Sequence, residues 1–197
     1  MEDKNISPLE SLKVIEQMLA ASRNKFYNNG FAFLFWGVLI ILACITQYVM
    51  IEMGYGHQSN YVWPVVVIMG IIVTFLYFRF QRTAGQRAFS RLDANNGMIW
   101  IAFGITYMVV IFMCVKMNIY PVGFIWCLLG FGMFASGGVY RFKPLYFGAV
   151  VFWIGAIISA YLGNDTSELL IGALTMFIGY IIPGYLLWKK AKNEANV

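Results

Sequence analysis

Charge is what this sequence has least of. Only 12% of its residues are Asp, Glu, Lys or Arg, about half the share of a soluble domain, which excludes an exterior covered by water. Histidine occurs once, as His57, and cysteine three times, as Cys44, Cys114 and Cys127, with no Cys-x-x-Cys. A metal centre wants several His, Cys or carboxylate ligands; Glu52 and His57 offer two, and nothing nearby completes the set. An odd number of thiols in apolar stretches argues for small packing residues rather than disulfides or a redox pair. Any Ser-His-Asp grouping has to use His57, and no motif ties it to Ser59, Asp165 or Ser167. Phosphate-cradling loops and dinucleotide fingerprints are missing. The expectation is a non-enzymatic chain with no metal and no cofactor.

What is present is hydrophobic sequence, 60% of the whole, arranged in six uncharged runs. They lie between Lys25 and Glu52, from Met53 to Phe78, Ala94 to Val115, Met117 to Tyr140, Pro144 to Asn164, and Leu169 to Trp188. Each reaches the ~20 residues that a helix needs to cross a hydrocarbon core. None shows the polar–apolar alternation of a membrane strand. The predicted fold class is therefore an all-α membrane protein with six transmembrane helices, at approximately 30–51, 61–79, 97–116, 119–140, 145–163 and 168–188. Residues 1–28 form a cytoplasmic or interfacial segment before this bundle, and 189–197 a cytoplasmic tail.

The net charge of +5 does not point to nucleic acid, because thirteen of the fourteen basic residues fall on one side of the predicted spans. Lys4, Lys13, Arg23 and Lys25 precede span one. Arg79, Arg82, Arg87 and Arg91 separate spans two and three, and are read as facing anionic headgroups. Arg141 and Lys143 separate spans four and five, and Lys189, Lys190 and Lys192 follow span six. Only Lys116 is opposite. By the positive-inside rule both termini face the cytoplasm, and the expected location is the bacterial cytoplasmic membrane. Tyr and Trp residues near both sets of span ends fit interfacial belts. A cleavable signal is not expected, since the first apolar run begins only near Gly30.

Glycine marks an internal repeat. Gly30 and Gly37, Gly97 and Gly104, and Gly148 and Gly155 are three pairs spaced seven apart, in spans one, three and five. Asn28-Asn29-Gly30 matches Asn95-Asn96-Gly97, and Trp36-Gly37 matches Phe103-Gly104. The pattern predicts three tandem helical hairpins in parallel orientation. Seven residues are nearly two turns, so each pair shares a helix face, where small residues let backbones approach. Gly155, Ser159 and Gly163 extend the third face. Helix packing is the expected role of all these positions.

Residues 7–27 read as an amphipathic helix. Ser7 and Glu10 form a capping box with Pro8 at the first helical position, and Leu9, Leu12, Ile15, Leu19 and Phe26 form an apolar stripe that suits the inner membrane surface or a docked partner. The segment Arg79–Asn96 looks like a weaker copy. No Asp, Glu, Lys or Arg falls in the centre of a span, which argues against a proton pump, a carboxylate-lined cation transporter and a voltage sensor. Asp93, Asp165 and Glu168 are expected to be solvated at span ends. The candidates for a polar cavity are Thr46, Gln47, Thr106, Ser159, Thr175 and Pro183, the last because it frees a backbone carbonyl.

Ser7-Pro8-Leu9-Glu10-Ser11-Leu12 through Phe35-Trp36-Gly37 resembles small six-span bacterial membrane proteins of uncharacterised function that begin with a short amphipathic helix. The resemblance covers the first quarter of the chain and implies no activity or site. The expected function is that of a membrane-embedded binding partner or sensor. Its expected contacts are membrane lipids and, beyond them, a second copy or another protein. The alternative is a small transporter or channel for a neutral or lipophilic solute.

Overall fold

In a computed structural model of the protein, residues 30, 32–83, 91–162 and 166–195 are described. The amphipathic segment 7–27, Arg87 and Gly163 lie outside them, as do the side chains of Arg82 and Arg91. Every regular element among the described residues is a helix. In order they are α1 (Ala32–Glu52), the short α2 (Gly56–Ser59), α3 (Val62–Thr83), α4 (Arg91–Met117), α5 (Val122–Tyr140), α6 (Lys143–Leu162), α7 (Ser167–Met176) and α8 (Ile182–Ala195). A π-helical turn, Phe177–Ile181, joins α7 to α8. Among the described residues six helices are long and apolar enough to cross a membrane, which suggests a multi-pass membrane protein. Helix is the form that satisfies every backbone group within its own segment when lipid offers no partner.

The ends of these helices follow from turn chemistry. Pro64, Pro121 and Pro144 all sit at helix starts, where a missing N–H costs nothing. Three helices close with one device. Beyond α1, Gly54 takes φ +87° and the Tyr55 N–H returns to the Met50 carbonyl at 2.8 Å. Beyond α4, Asn118 takes φ +54° and Ile119 returns to Cys114 at 2.9 Å. Beyond α5, Arg141 takes φ +49° and Phe142 returns to Gly137 at 3.2 Å. These are left-handed caps that recover orphan carbonyls. Arginine is an uncommon choice there and carries a cost of about 1 kcal/mol.

Two helices run further than hydropathy indicates. α8 continues through Lys189–Ala195, where 189–197 reads as a tail, because lysine and alanine are good helix formers and cations favour a helix C-terminus. α4 begins at Arg91, so Asn95-Asn96-Gly97 lies inside the helix rather than closing a separate amphipathic segment.

The core lies among α1, α5, α6 and α7–α8. A line of rings passes through it: Trp126 stacks on Phe152 at 5.8 Å, Phe152 meets Tyr180 edge-on at 6.1 Å, and Tyr180 meets Phe33 at 5.0 Å and Trp100 at 6.2 Å. Trp100 brings α4 to the core. α5 and α6 pack antiparallel: Gly137 faces Tyr146, Gly130 faces Trp153, and Gly123 faces the Ala156 carbonyl. α1 packs antiparallel to α7–α8, with Gly30 against Trp188, Gly37 against Ile181 and Gly184 against Phe33. We call the end holding residues 53–61, 118–121 and 166 distal, and the end holding Gly30, Arg79 and Arg141 proximal.

Candidate functional site

The middle of the last span departs from regular helix for a reason written in its sequence. Pro183 is fully buried and has no N–H to give the Gly179 carbonyl one turn earlier, and its ring crowds that carbonyl. The π-helical turn at Phe177–Ile181 ends two residues before Pro183 and absorbs the mismatch. The Gly179 carbonyl is aimed at Gly148 on α6, so closely that a Cβ on Gly148 would overlap it. In return, a Cβ on Gly179 would lie 3.2 Å from the Gly148 carbonyl. The two glycines thus let two backbones touch, a geometry that favours Cα–H···O contacts.

Distal to this contact the helices bring polar groups inward. Thr175 on α7 packs over Gly155, whose absent Cβ would fall 2.7 Å from the Thr175 Cγ2. One turn on, Ser159 is buried and its Oγ has no hydrogen-bond partner. On the adjoining face of α7, a Cβ on Gly172 would fall 2.8 Å from the Trp126 Cζ2 and 3.8 Å from the Cys44 Sγ of α1. One turn distal to Gly172 is Glu168. It is 1% exposed, and neither carboxylate oxygen has a hydrogen-bond partner.

Glu168 overturns the expectation of a solvated carboxylate at a span end. It is the second residue of α7, where a glutamate ordinarily turns to water or to the free N–H groups of the helix start. Here it is turned into the bundle beside Cys44 and Tyr120. Tyr120 comes from the turn between α4 and α5, and its hydroxyl is near enough to interact with the carboxylate without the geometry of a good hydrogen bond. Burial first, and the charge and hydroxyl contact of Glu168 after it, push the Tyr120 phenol up. Periodicity indicated that position 168 begins a span; which face it takes depends on α1 and α5 arriving around it.

The other candidates divide. Gln47, Ser159, Thr175 and Pro183 are buried, whereas Thr46 and Thr106 face outward. The Thr106 hydroxyl returns to the Ala102 carbonyl of its own helix at 2.8 Å. Gln47 is fully engaged: Trp63 Nε1 donates to its Oε1 at 2.6 Å, and its Nε2 donates to Asn60 Oδ1 at 3.4 Å. That network ties α1 to α3, as does Trp36 Nε1 donating to Thr74 Oγ1 at 3.1 Å. Among the expected packing positions, Gly30, Gly37, Gly148 and Gly155 meet a neighbouring helix, and Ser159 is in the core. Gly97 and Gly104 have nothing within 4 Å of a would-be Cβ. A polar pair that sequence reasoning passed over joins α4 to α5: the Ser136 hydroxyl donates to Asn96 Oδ1 at 2.8 Å, with both residues buried. Arg79 is exposed at the proximal end of α3. Among the described residues no three His, Cys, Asp or Glu side chains converge.

Comparison with known proteins finds no matching family model, no matching curated protein and no matching solved structure.

Proposed function

We propose that this protein is a non-enzymatic component of the bacterial cytoplasmic membrane, with both termini in the cytoplasm, that works by binding: a membrane-embedded sensor or partner that associates with a second copy or another membrane protein. The observation that carries the reading is the uneven use of its helices. Only 6% of the α4 span and 11% of the α3 span are buried, against 44% of the span formed by α7 and α8. Helices with so little to hold them in the monomer face either lipid or another protein. α4 carries its paired glycines, Gly97 and Gly104, without a partner helix over them, and such faces suit close helix–helix approach.

Extraction in mild detergent followed by mass measurement tests this. A homo-oligomer or a defined heteromeric complex is expected, and Gly104→Leu should dissociate it while leaving the monomer folded. A strictly monomeric protein with no bound partner defeats the reading. The tandem-hairpin descent belongs to the same proposal. It is supported by the glycine spacing and by the α1–α3 contacts at both Trp36 and Gln47.

The transporter reading is second. It draws support from the π-turn before Pro183 and from the unpartnered Ser159 hydroxyl beside Thr175, features that discontinuous transport helices use. Passage of a neutral solute through proteoliposomes, abolished by Thr175→Val, separates it from the first.

A further inference from the structure

Glu168 is the only charged-type residue among those described that is buried. A carboxylate taken out of water costs several kcal/mol unless something offsets it. The usual offsets are a cationic side chain, a set of donors, a metal or a proton. Among the described residues no cationic side chain is paired with Glu168, and no hydrogen bond of good geometry reaches either oxygen, the Tyr120 hydroxyl being one nearby donor rather than a set. A metal would need further ligands, and no group of three ligating side chains is present among the described residues. The helix start does not serve it either: α7 has no side-chain cap at Thr166, and the Glu168 oxygens are turned away from the free N–H groups. The remaining offset is a proton, which needs no cage.

The surroundings suit a proton that comes and goes at one end. Among the described residues, Cys44 of α1 and Tyr120 of the α4–α5 turn are the titratable groups that face the carboxyl. One turn deeper, Trp126 of α5 packs over Gly172 of α7. Toward the proximal side, the rings of Phe152, Tyr180, Phe33 and Trp100 close the core. Toward the distal side the cover among the described residues is Tyr120, itself 40% exposed. The tight turn Asn118–Pro121, pinned by the left-handed Asn118, holds that ring over the start of α7.

We propose that Glu168 is a proton-binding site, reached from the aqueous phase at the distal end past Tyr120. The ligand is a proton and the acceptor is one carboxylate oxygen. Losing the proton leaves a negative charge beside Cys44 in the bundle interior, which favours movement of Tyr120 and the first turn of α7 toward the headgroups. This deepens the sensor reading, and rests on it only for the use made of the proton.

Infrared difference spectroscopy on the full-length protein in lipid nanodiscs reads the site directly, whatever its oligomeric state. At neutral pH we expect a protonated-carboxyl C=O band that is lost in Glu168→Gln and fades as the pH is raised. Tyr120→Ala should speed the shift of that band on transfer to D2O by at least tenfold. Glu168→Asp, which keeps the carboxyl, should retain a band at moved frequency, so that a poorly folding Gln variant does not decide the matter alone. The proposal is overturned if no carboxyl band responds to substitution at position 168. It is equally overturned if the group is a carboxylate at neutral pH, or if its band vanishes only when sodium or benzylammonium is added, which would mark a cation site.

Discussion

α4 and the α7–α8 span are both apolar enough to cross a bilayer, yet one is almost bare within the monomer and the other is the hub of the core. α7–α8 touches α1, α5 and α6 through Gly172, Gly179 and Gly184, each set against a side chain or backbone on another helix. α4 has two glycines as well, but neither is filled, and it reaches the core through Trp100, Phe103 and the Asn96–Ser136 bond. Hydropathy therefore does not decide packing in lipid. Since lipid tails are as apolar as leucine, helices associate where shape or a polar bond gives them a reason. A small residue is such a reason only where a knob on another helix fills it.

Filling the tightest contact should cost the α7–α8 hub most. Gly148→Val places carbon where the Gly179 carbonyl, the Met133 Cε at 2.9 Å and the Pro183 Cγ at 3.2 Å already sit. Because backbone cannot yield as a flexible side chain does, a loss of roughly 3 kcal/mol or more is expected, seen as a large drop in thermal unfolding temperature in detergent. Gly104→Val should leave the monomer's unfolding unchanged, and an equal loss at both positions would erase the contrast. An intermediate effect is expected for Ser136→Ala, which leaves the buried Asn96 oxygen without its donor and costs about 1 kcal/mol. The smallest effect belongs to Thr106→Val. Its hydroxyl bonds its own helix on an exposed face, so a change within about 0.5 kcal/mol is expected, and anything larger would show that α4 is covered there.

How much was legible beforehand follows the same division. Six spans could be read because ~20 uncharged residues have few places to go but across a bilayer. Pro183 announced a disturbed helix, because the chemistry of a missing N–H is local, and the π-turn at Phe177–Ile181 is that disturbance. The caps at Gly54, Asn118 and Arg141 are local too, although an arginine in the left-handed region leaves no sequence signal. Gln47, by contrast, looked like the least comfortable polar residue. It proves to be the centre of a bond network, because Asn60 and Trp63 return to it across the first distal turn. Glu168 shows the reverse: it looked solvated and is enclosed. A residue one turn from a helix start faces water or core according to helices that lie far away in sequence.

That the chain is helical, apolar in six long stretches and charged asymmetrically about them is written in the amino-acid sequence, since stretch length, charge and backbone satisfaction are properties of each segment alone. Which glycines are filled, that α7–α8 rather than α4 is central, and that one carboxyl group at the distal end is shut in with no good hydrogen bond were settled by how the helices pack. These are outcomes of which knob meets which gap between helices, and a distance between two segments is not encoded within either.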